Sequence, residues 1–205
     1  MESLIVIPEP TKKRLIQMMQ LLLQFDKTRI TSLEISELTG WKDSLIRHDL
    51  WLVGYNKGIS NGYKVSDLLD SIRKILCVDS TLEDNKKNCC IVGLGRLGAA
   101  LLDDDLFSES QFRIKAGFDS NINRIEILRS SFSLYPINNM ANIIRQEKII
   151  FAILCVKNKD AQNITNKLID AKIEGIVNLT EVIVKVPSGI KVENISIINA
   201  LQLLK

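Results

Sequence analysis

Apolar positions in the first part of the chain recur three and four residues apart, as they do in amphipathic helices. The pattern predicts four helices, at about 11–25, 31–40, 42–53 and 66–76. Thr31 and Glu34 fit a capping box at the start of the second helix, and Gly40 is typical of its end. Asn61-Gly62, between the third and fourth helices, indicates a tight hairpin turn. This order of helices, glycine turn and hairpin predicts a winged helix-turn-helix.

Beyond residue 85 the pattern changes to short apolar runs that alternate with helical stretches. Strands are predicted at 88–92, 112–118, 148–156 and 175–179, with a helix at about 160–171. This alternation is typical of a parallel sheet that is covered on both faces. The polar stretch 79–88 separates the two patterns and is predicted to be a linker. We therefore expect an α/β protein with a winged helix-turn-helix at 1–80 and a Rossmann-type, doubly wound parallel sheet at 86–205.

A glycine-rich loop follows the first predicted strand of the second domain directly. In the G-x-G-x-x-G pattern, Gly93 permits a tight turn, Gly95 lets the backbone approach a pyrophosphate, and Gly98 lets helix pack on strand. Asp119 ends the second predicted strand, 21 residues beyond Gly98 (119 − 98). An acid at this place accepts hydrogen bonds from the ribose hydroxyls and repels a 2′-phosphate. The order of strand, loop, helix, strand and acid therefore predicts an NAD(H) site, with NAD favoured over NADP.

The cofactor site is expected to include the whole glycine loop, the acid and polar residues after a later strand. In open α/β sheets the ligand lies beyond the carboxyl ends of the strands. The expected contacts are Gly93, Leu94, Gly95, Arg96, Leu97, Gly98, Asp119, Asn178 and Thr180. Lys157, which follows the third strand, is also placed near the nicotinamide by this rule.

The third helix of the first domain is the candidate for reading DNA, because in a winged helix it lies in the major groove. Ile46 and Leu50 would hold its buried face, and Arg47 could read a guanine edge through two parallel hydrogen bonds. The expected DNA contacts are Lys12, Lys42, Ser44, Arg47, His48 and Lys57. The pattern alone leaves open that these side chains form only a solvated helix face.

Composition narrows the classes of protein without naming the partner. The net charge of +3 is too small to indicate nucleic acid by itself, so any basic surface must be local, as at Lys12-Lys13-Arg14. There is no apolar run of membrane-spanning length and no signal-peptide pattern, which favours a cytoplasmic protein without membrane contact. The four cysteines form no C-x-x-C pair and His48 is the single histidine, so we expect no metal site and buried free thiols.

The sequence offers no catalytic machinery. The residues after Gly93 are used by the nucleotide-binding unit, and no nucleophile, acid pair or triad accompanies them. His48, the residue type most often used for proton transfer, lies on the candidate reading helix. We therefore predict a sensor or binding protein with no catalytic residue. The alternative from another class is a small NAD-dependent oxidoreductase subunit.

Several segments, taken in order, resemble the redox-sensing transcriptional repressors called Rex, over nearly the whole chain. The matching segments are 7–8, 11–15, 46–50, 62–65, 93–98, 118–119, 161–162, 175–178, 186–187, 192–194 and 201–202. The resemblance implies a homodimer on a palindromic operator. It also implies repression when NADH is scarce and release from DNA when NADH binds.

The three positions of the family's redox switch differ in this chain. The Arg, Tyr and Asp that couple the family's nicotinamide site to its DNA-binding head match Gln20, Asp104 and Ser196 here, without gaps. Gln20 and Ser196 carry no charge, so they cannot form an ion pair. We therefore expect NADH to release this protein from DNA poorly, or no better than NAD⁺. A Rex-like DNA binder with lost or altered NADH sensing remains an alternative.

Overall fold

The computed structural model describes residues 7–55, 62–76, 86–102, 105–108 and 110–204. The chain divides into two compact units, Met1–Asp79 and Ser80–Lys205. The predicted domains were 1–80 and 86–205. Among the described residues, the first unit has one apolar core and the second unit has two apolar clusters.

In its described residues, the first unit contains four helices and two short strands. Its elements are α1 (Glu9–Leu23), β1 (Arg29–Ile30), α2 (Ser32–Thr39), α3 (Asp43–Leu52), β2 (Tyr63–Lys64) and α4 (Val65–Leu76). All four predicted helices form, and side chains from each of them enter one core. The helices therefore hold together because their apolar faces have a common interior.

Helix α2 begins and ends where the sequence predicts. The Thr31 hydroxyl accepts a hydrogen bond from the Glu34 N–H (3.1 Å), and the Glu34 carboxylate accepts one from the Thr31 N–H (2.8 Å). Gly40 ends α2 in the left-handed region, at φ +74°. The capping box and the glycine stop together fix where α2 begins and ends, which confirms the helix-turn-helix.

The hairpin predicted at Asn61-Gly62 stays a prediction. Residues 56–61 of the predicted turn, and Lys57 with them, lie outside the described residues. Tyr63 pairs with Ile30 in an antiparallel ladder, so this strand has a partner before α2 that the sequence analysis missed. Gly62 has φ +75°, and a Cβ there would lie 2.8 Å from the Ile30 carbonyl oxygen. Glycine is therefore required both by the turn and by the close approach of β1.

The second unit is a six-stranded parallel sheet with the strand order β5-β4-β3-β6-β7-β8. Its strands are β3 (Lys87–Val92), β4 (Phe112–Asp119), β5 (Ser133–Pro136), β6 (Phe151–Leu154), β7 (Gly175–Asn178) and β8 (Lys191–Asn194). Its helices are α5 (Arg96–Ala100), α6 (Asp105–Ser108), α7 (Ile122–Ile127), α8 (Met140–Gln146), α9 (Asn158–Asp170) and α10 (Ile197–Gln202). The order reverses between β3 and β6, which confirms the predicted doubly wound sheet.

Several predicted boundaries were wrong. The predicted linker extended to residue 88, but Lys87 and Asn88 begin β3. The strand predicted at 148–156 is reduced to β6, because Lys148 adopts φ +50° in the turn after α8. β5 and β8, at the two edges of the sheet, were not predicted. Edge strands are short and half-solvated here, so they lack the continuous apolar run that identified the central strands.

The described cysteines are free thiols. Cys89 and Cys90 are buried in β3, and Cys155 is half-buried after β6, whereas Cys77 lies outside the described residues. Burial raises the pKa of Cys89 to about 12 and that of Cys155 to about 11, so both are protonated at neutral pH. Within the described ranges, acidic, Cys and His side chains form no group suited to a metal ion, and no helix is long and apolar enough to cross a membrane.

A buried ion pair joins α1 to α3. The fully buried Asp49 accepts hydrogen bonds from the Arg14 Nε (2.6 Å) and Nη2 (2.9 Å) and from the Thr11 hydroxyl (3.0 Å). These bonds also raise the pKa of the Arg14 guanidinium. The pair orients α3 on α1, because a bidentate guanidinium–carboxylate contact fixes both side chains.

Asp49→Asn is expected to lower the free energy of unfolding by about 2–3 kcal/mol, because the Arg14 charge loses its buried partner. Urea denaturation monitored by circular dichroism measures the change. Asp70→Asn on α4 is the matched control, since Asp70 is exposed and lies 3.9 Å from Arg73. It should change the free energy by less than about 0.5 kcal/mol. Equal effects of the two variants would contradict a structural role for the buried pair.

Candidate nucleotide-binding cleft and DNA-reading helix

The glycine loop between β3 and α5 makes two very close backbone contacts. Gly93 has φ +93°, and a Cβ there would lie 2.7 Å from the carbonyl group of Cys155. A Cβ on Gly98 would lie 1.9 Å from the carbonyl oxygen of Gly93. No side chain fits at either position, so the fold itself requires both glycines.

Gly95 differs from the other two loop glycines. Its φ is −68°, which any residue can adopt, and a Cβ built there meets nothing within 4 Å. The fold therefore does not require glycine at this position. What Gly95 provides is bare backbone that faces the open cleft, as close approach of a ligand would need.

The Asp119 carboxylate is part of the loop's own structure. It is almost fully buried, and one oxygen accepts a hydrogen bond from the Leu94 N–H while the other accepts one from the Asn121 N–H, both at 2.7 Å. The Arg124 guanidinium lies 3.4 Å from the first of these oxygens. A carboxylate oxygen can accept more than one hydrogen bond, so a ribose hydroxyl can still bind there. The ribose contact stays a prediction, and the sequence analysis missed the Asn121 and Arg124 contacts.

A cleft of about 800 Å³ lies along the carboxyl ends of β3, β4 and β6. Its volume is within the range of about 300–1,000 Å³ that is usual for small-molecule sites. Five cationic residues line it: Arg96, Arg124, Lys157, Lys159 and Lys167. The acidic lining residues are Asp119 and Asp160. Because cations outnumber carboxylates, the electrostatic potential of the cleft favours an anionic ligand such as a pyrophosphate.

The residues predicted after β7 lie beside this cleft rather than in its lining. Asn178 is fully buried, and its amide nitrogen donates to the Val182 carbonyl and to the Asn194 side chain, both at 2.8 Å. Its amide oxygen accepts the Thr180 hydroxyl at 2.7 Å. Thr180 lines an adjoining, more open depression together with Leu97. Asn178 thus braces the loop after β7, and the cofactor contacts of Asn178 and Thr180 stay predictions.

On the DNA side, α3 presents the predicted polar face to solvent. Ile46 and Leu50 are buried in the core of the first unit. The exposed candidates on or beside α3 are Lys42, Ser44, Arg47 and His48. Lys12, on α1, is half-buried. This arrangement is the one a reading helix needs, with an anchored apolar face and an open polar face.

The structure adds two residues to this surface that the sequence analysis overlooked, Asp43 and Trp51. Asp43, at the first position of α3, forms an ion pair with Arg47 one turn later. Trp51, further along the same helix, is exposed, and its ring lies 6.3 Å from that of His48. The spacing of Asp43 and Arg47 in the sequence, i to i+4, was the signal that could have found the pair.

The positions that depart from the Rex pattern have ordinary local roles. Gln20 is exposed on α1. Ser196 is the N-cap of α10, where its hydroxyl accepts a hydrogen bond from the Asn199 N–H at 3.2 Å. Asp104 lies outside the described residues. The described side chains at these positions carry no charge, as the sequence predicts.

Known proteins match both units. The family described as "CoA binding domain" matches residues 84–182. The redox-sensing transcriptional repressor Rex of Lactiplantibacillus plantarum is 34% identical over 97% of this chain and 87% of its own length. Rex of Levilactobacillus brevis is 32% identical over 97% of this chain and 92% of its own.

Solved structures agree with these sequence matches. The Rex-family repressor RSP, in complex with NAD⁺ and operator DNA, is similar with a TM-score of 0.85 and 30% identity, covering 97% of this chain and 91% of RSP. RSP in complex with NADH gives a TM-score of 0.83 at the same identity. The similarity extends over nearly the whole chain, so it includes the helix-turn-helix as well as the parallel sheet.

A helix-turn-helix and a nucleotide-binding sheet in one chain define a class of transcription regulators that respond to a small ligand. The chain belongs to the Rex family of redox-sensing transcriptional repressors. The predicted fold class, a winged helix-turn-helix with a Rossmann-type sheet, is confirmed. The relatives are named as repressors, which confirms the prediction of a regulator and not an enzyme.

Gly95→Ala is expected to abolish NAD(H) binding while leaving the free energy of unfolding nearly unchanged. The added methyl group meets nothing in the protein, but it occupies the space that a pyrophosphate needs. Calorimetric titration with NADH measures binding, and urea denaturation measures stability. Gly98→Ala is the contrasting variant: it should disrupt the loop and therefore lower the free energy of unfolding as well. Retained binding in Gly95→Ala would contradict the placement of the pyrophosphate.

Proposed function

We propose that this chain is an operator-binding repressor of the Rex type that takes NAD(H) as its effector and acts in the cytoplasm. The adenosine lies at the end of β4 with its ribose on Asp119, and the pyrophosphate crosses the backbone of Gly95. The nicotinamide extends toward Lys157, beyond β6. The observation that carries this proposal is the cation-lined cleft of about 800 Å³ with bare backbone at Gly95, in the same chain as the exposed polar face of α3.

The DNA contacts are proposed to divide into two kinds. Arg47 reads a base edge, because it lies on the open face of α3, where helix-turn-helix proteins contact bases. Lys12, Lys42, Ser44, His48 and Lys57 position the protein on the phosphates. Phosphate contacts dominate affinity and base contacts supply specificity, so substitutions of the two kinds should have different effects.

The effector is proposed to act weakly. A ligand shifts an equilibrium between two states only by its differential affinity for them. Gln20 and Ser196 offer no charged contact that could differ between the two states. We therefore infer that NADH weakens operator binding less than it would with an intact ion pair.

NADH is expected to lower the affinity for operator DNA by less than about tenfold. A tenfold change would require NADH to bind the two states with free energies that differ by about 1.4 kcal/mol. Gel shifts at fixed salt, with saturating NADH, saturating NAD⁺ and neither, measure the effect. The DNA is a duplex that the chain enriches from a pool of randomised sequences. A larger loss of affinity with NADH alone would contradict weak coupling. Failure to enrich any sequence, or to bind NADH by calorimetry, would contradict the proposed function itself.

The proposal includes a homodimer on a palindromic operator. α10 buries no residue in its own unit, and the segment around it exposes Ile195, Ile197, Ile198, Leu201, Leu203 and Leu204. A continuous apolar surface of this kind is typical of a subunit interface. The proposed occupant is a second copy of this chain, because a twofold dimer presents two reading helices to two half-sites.

The double variant Ile198→Asp/Leu201→Asp is expected to be a monomer at concentrations where the parent chain is a dimer, because two buried carboxylates oppose association. Sedimentation velocity gives the mass of each. Ile127→Asp, which changes a still more exposed isoleucine on α7, is the control and should leave the mass unchanged. If the double variant stays dimeric, the interface lies elsewhere.

A further inference from the structure

Asp43 lies in the first turn of α3 and is held by a contact with Arg47. One carboxylate oxygen contacts the Arg47 guanidinium, and the other is buried without a hydrogen-bond partner in the part of the chain that the structure describes. The residue before α3, Lys42, supplies no side-chain cap. Among the described residues, Asp43 therefore forms no hydrogen bond that caps the helix. The polar contact that the structure shows for its side chain is the one with Arg47.

The helix dipole favours a carboxylate in the first turn of α3, but bound DNA would oppose it. In helix-turn-helix proteins, the N-terminal residues of the reading helix contact base edges. They are close to phosphates, which repel a negative charge. Solvation of the helix surface does not require an acid, since serine or threonine would serve as well. The helix dipole accounts for an acid at this position, but it does not account for the contact of that acid with Arg47, which points to an action on the arginine.

Pairing changes what Arg47 can bind. A free guanidinium has five N–H donors and can bind any phosphate that it reaches. The contact with Asp43 occupies part of the guanidinium and limits its rotation. The Arg47 side chain is still 61% exposed, so its remaining donors are open for two parallel hydrogen bonds to a guanine. The pair therefore orients Arg47 toward a base and reduces its contact with phosphates.

We propose that Asp43 is a positioning residue for base reading, which acts by fixing the Arg47 guanidinium. This inference rests on the proposed function, in which α3 enters the major groove. The specificity of the repressor then depends on an acid that itself opposes DNA binding. Asp43 would then lower the affinity for every DNA sequence. Because the loss is largest where Arg47 finds no guanine, the difference in affinity between the preferred site and other sequences increases.

The test compares binding to two DNAs, a duplex that the parent chain enriches from a randomised pool and the same duplex with one guanine of each half-site replaced by adenine. The guanine is the one at which Arg47→Ala loses discrimination. Asp43→Ala is expected to lower the ratio of the two affinities at least threefold, which is a part of the roughly 5- to 150-fold discrimination that one bidentate arginine contact supplies. Binding to the altered duplex should become tighter and depend more steeply on salt, because Arg47 is released to phosphates. Asp43→Asn, which keeps the side-chain shape, should show a smaller change in the same direction.

Asp67→Ala is the matched control. Asp67 forms a comparable exposed pair with Lys64, at 3.0 Å, at the start of α4 in the same unit. It should leave the affinity ratio unchanged, so a fall in the ratio that is confined to Asp43 cannot come from the general loss of a surface charge. An unchanged ratio in both Asp43→Ala and Asp43→Asn would overturn the inference.

The double variant Asp43→Ala/Arg47→Ala separates positioning from direct reading. If Asp43 acts through Arg47, the double variant discriminates no worse than Arg47→Ala alone. Independent losses that add in the double variant would mean that Asp43 reads a base itself, and would overturn the positioning role. A parent chain that enriches no sequence would instead overturn the proposed function, and this inference with it.

Discussion

The second unit depends on the contact between Gly98 and the carbonyl oxygen of Gly93. This approach leaves no room for a side chain, and it brings the start of α5 against the end of β3. The Leu94 N–H then points to Asp119, so the loop is tied to β4 as well. Strand, loop, helix and neighbouring strand are in this way fixed by backbone geometry. The cleft opens where this arrangement leaves the backbone of Gly95 uncovered.

In the first unit, an ion pair orients the elements relative to one another. A short helix such as α3 cannot hold its orientation through Ile46 and Leu50 alone, since apolar contacts are not directional. The bidentate contact of Arg14 with the buried Asp49 supplies the missing direction. One acid on α3 thus faces inward and orients the helix, while Asp43 faces the candidate DNA surface and contacts Arg47. The two acids act on different faces of the same helix.

Local patterns in the sequence predicted most of the helices and the central strands. The helices of the first unit, the capping box at Thr31 and the central strands follow from periodicity and side-chain chemistry. The edge strands β5 and β8 could not be predicted in this way, because their short, half-solvated segments resemble loops. The partner of Tyr63 was missed for another reason. It is Ile30, which lies before two intervening helices, and no local pattern reports a pairing over that distance.

The candidate site was predictable in its residue types but not in their contacts. Spacing alone identified the glycine loop and the acid. It could not show that the Asp119 carboxylate already accepts hydrogen bonds from the N–H groups of Leu94 and Asn121. Nor could it show that the side-chain amide of Asn178 donates hydrogen bonds to neighbouring chain segments. Such contacts depend on which backbone donors the fold brings within reach.

If Asp119 binds the ribose as proposed, its second role in the loop limits how this chain could change its cofactor. A Rossmann domain that turns to NADP usually loses its acid, because the acid repels the extra phosphate. Here that loss would also remove the acceptor of the Leu94 N–H and so disturb the glycine loop, on which the pyrophosphate is proposed to lie. Selectivity and loop integrity are thus inherited together. A lineage moving toward NADP would have to keep the carboxylate and recruit the Arg124 guanidinium, 3.4 Å away, to bind the phosphate.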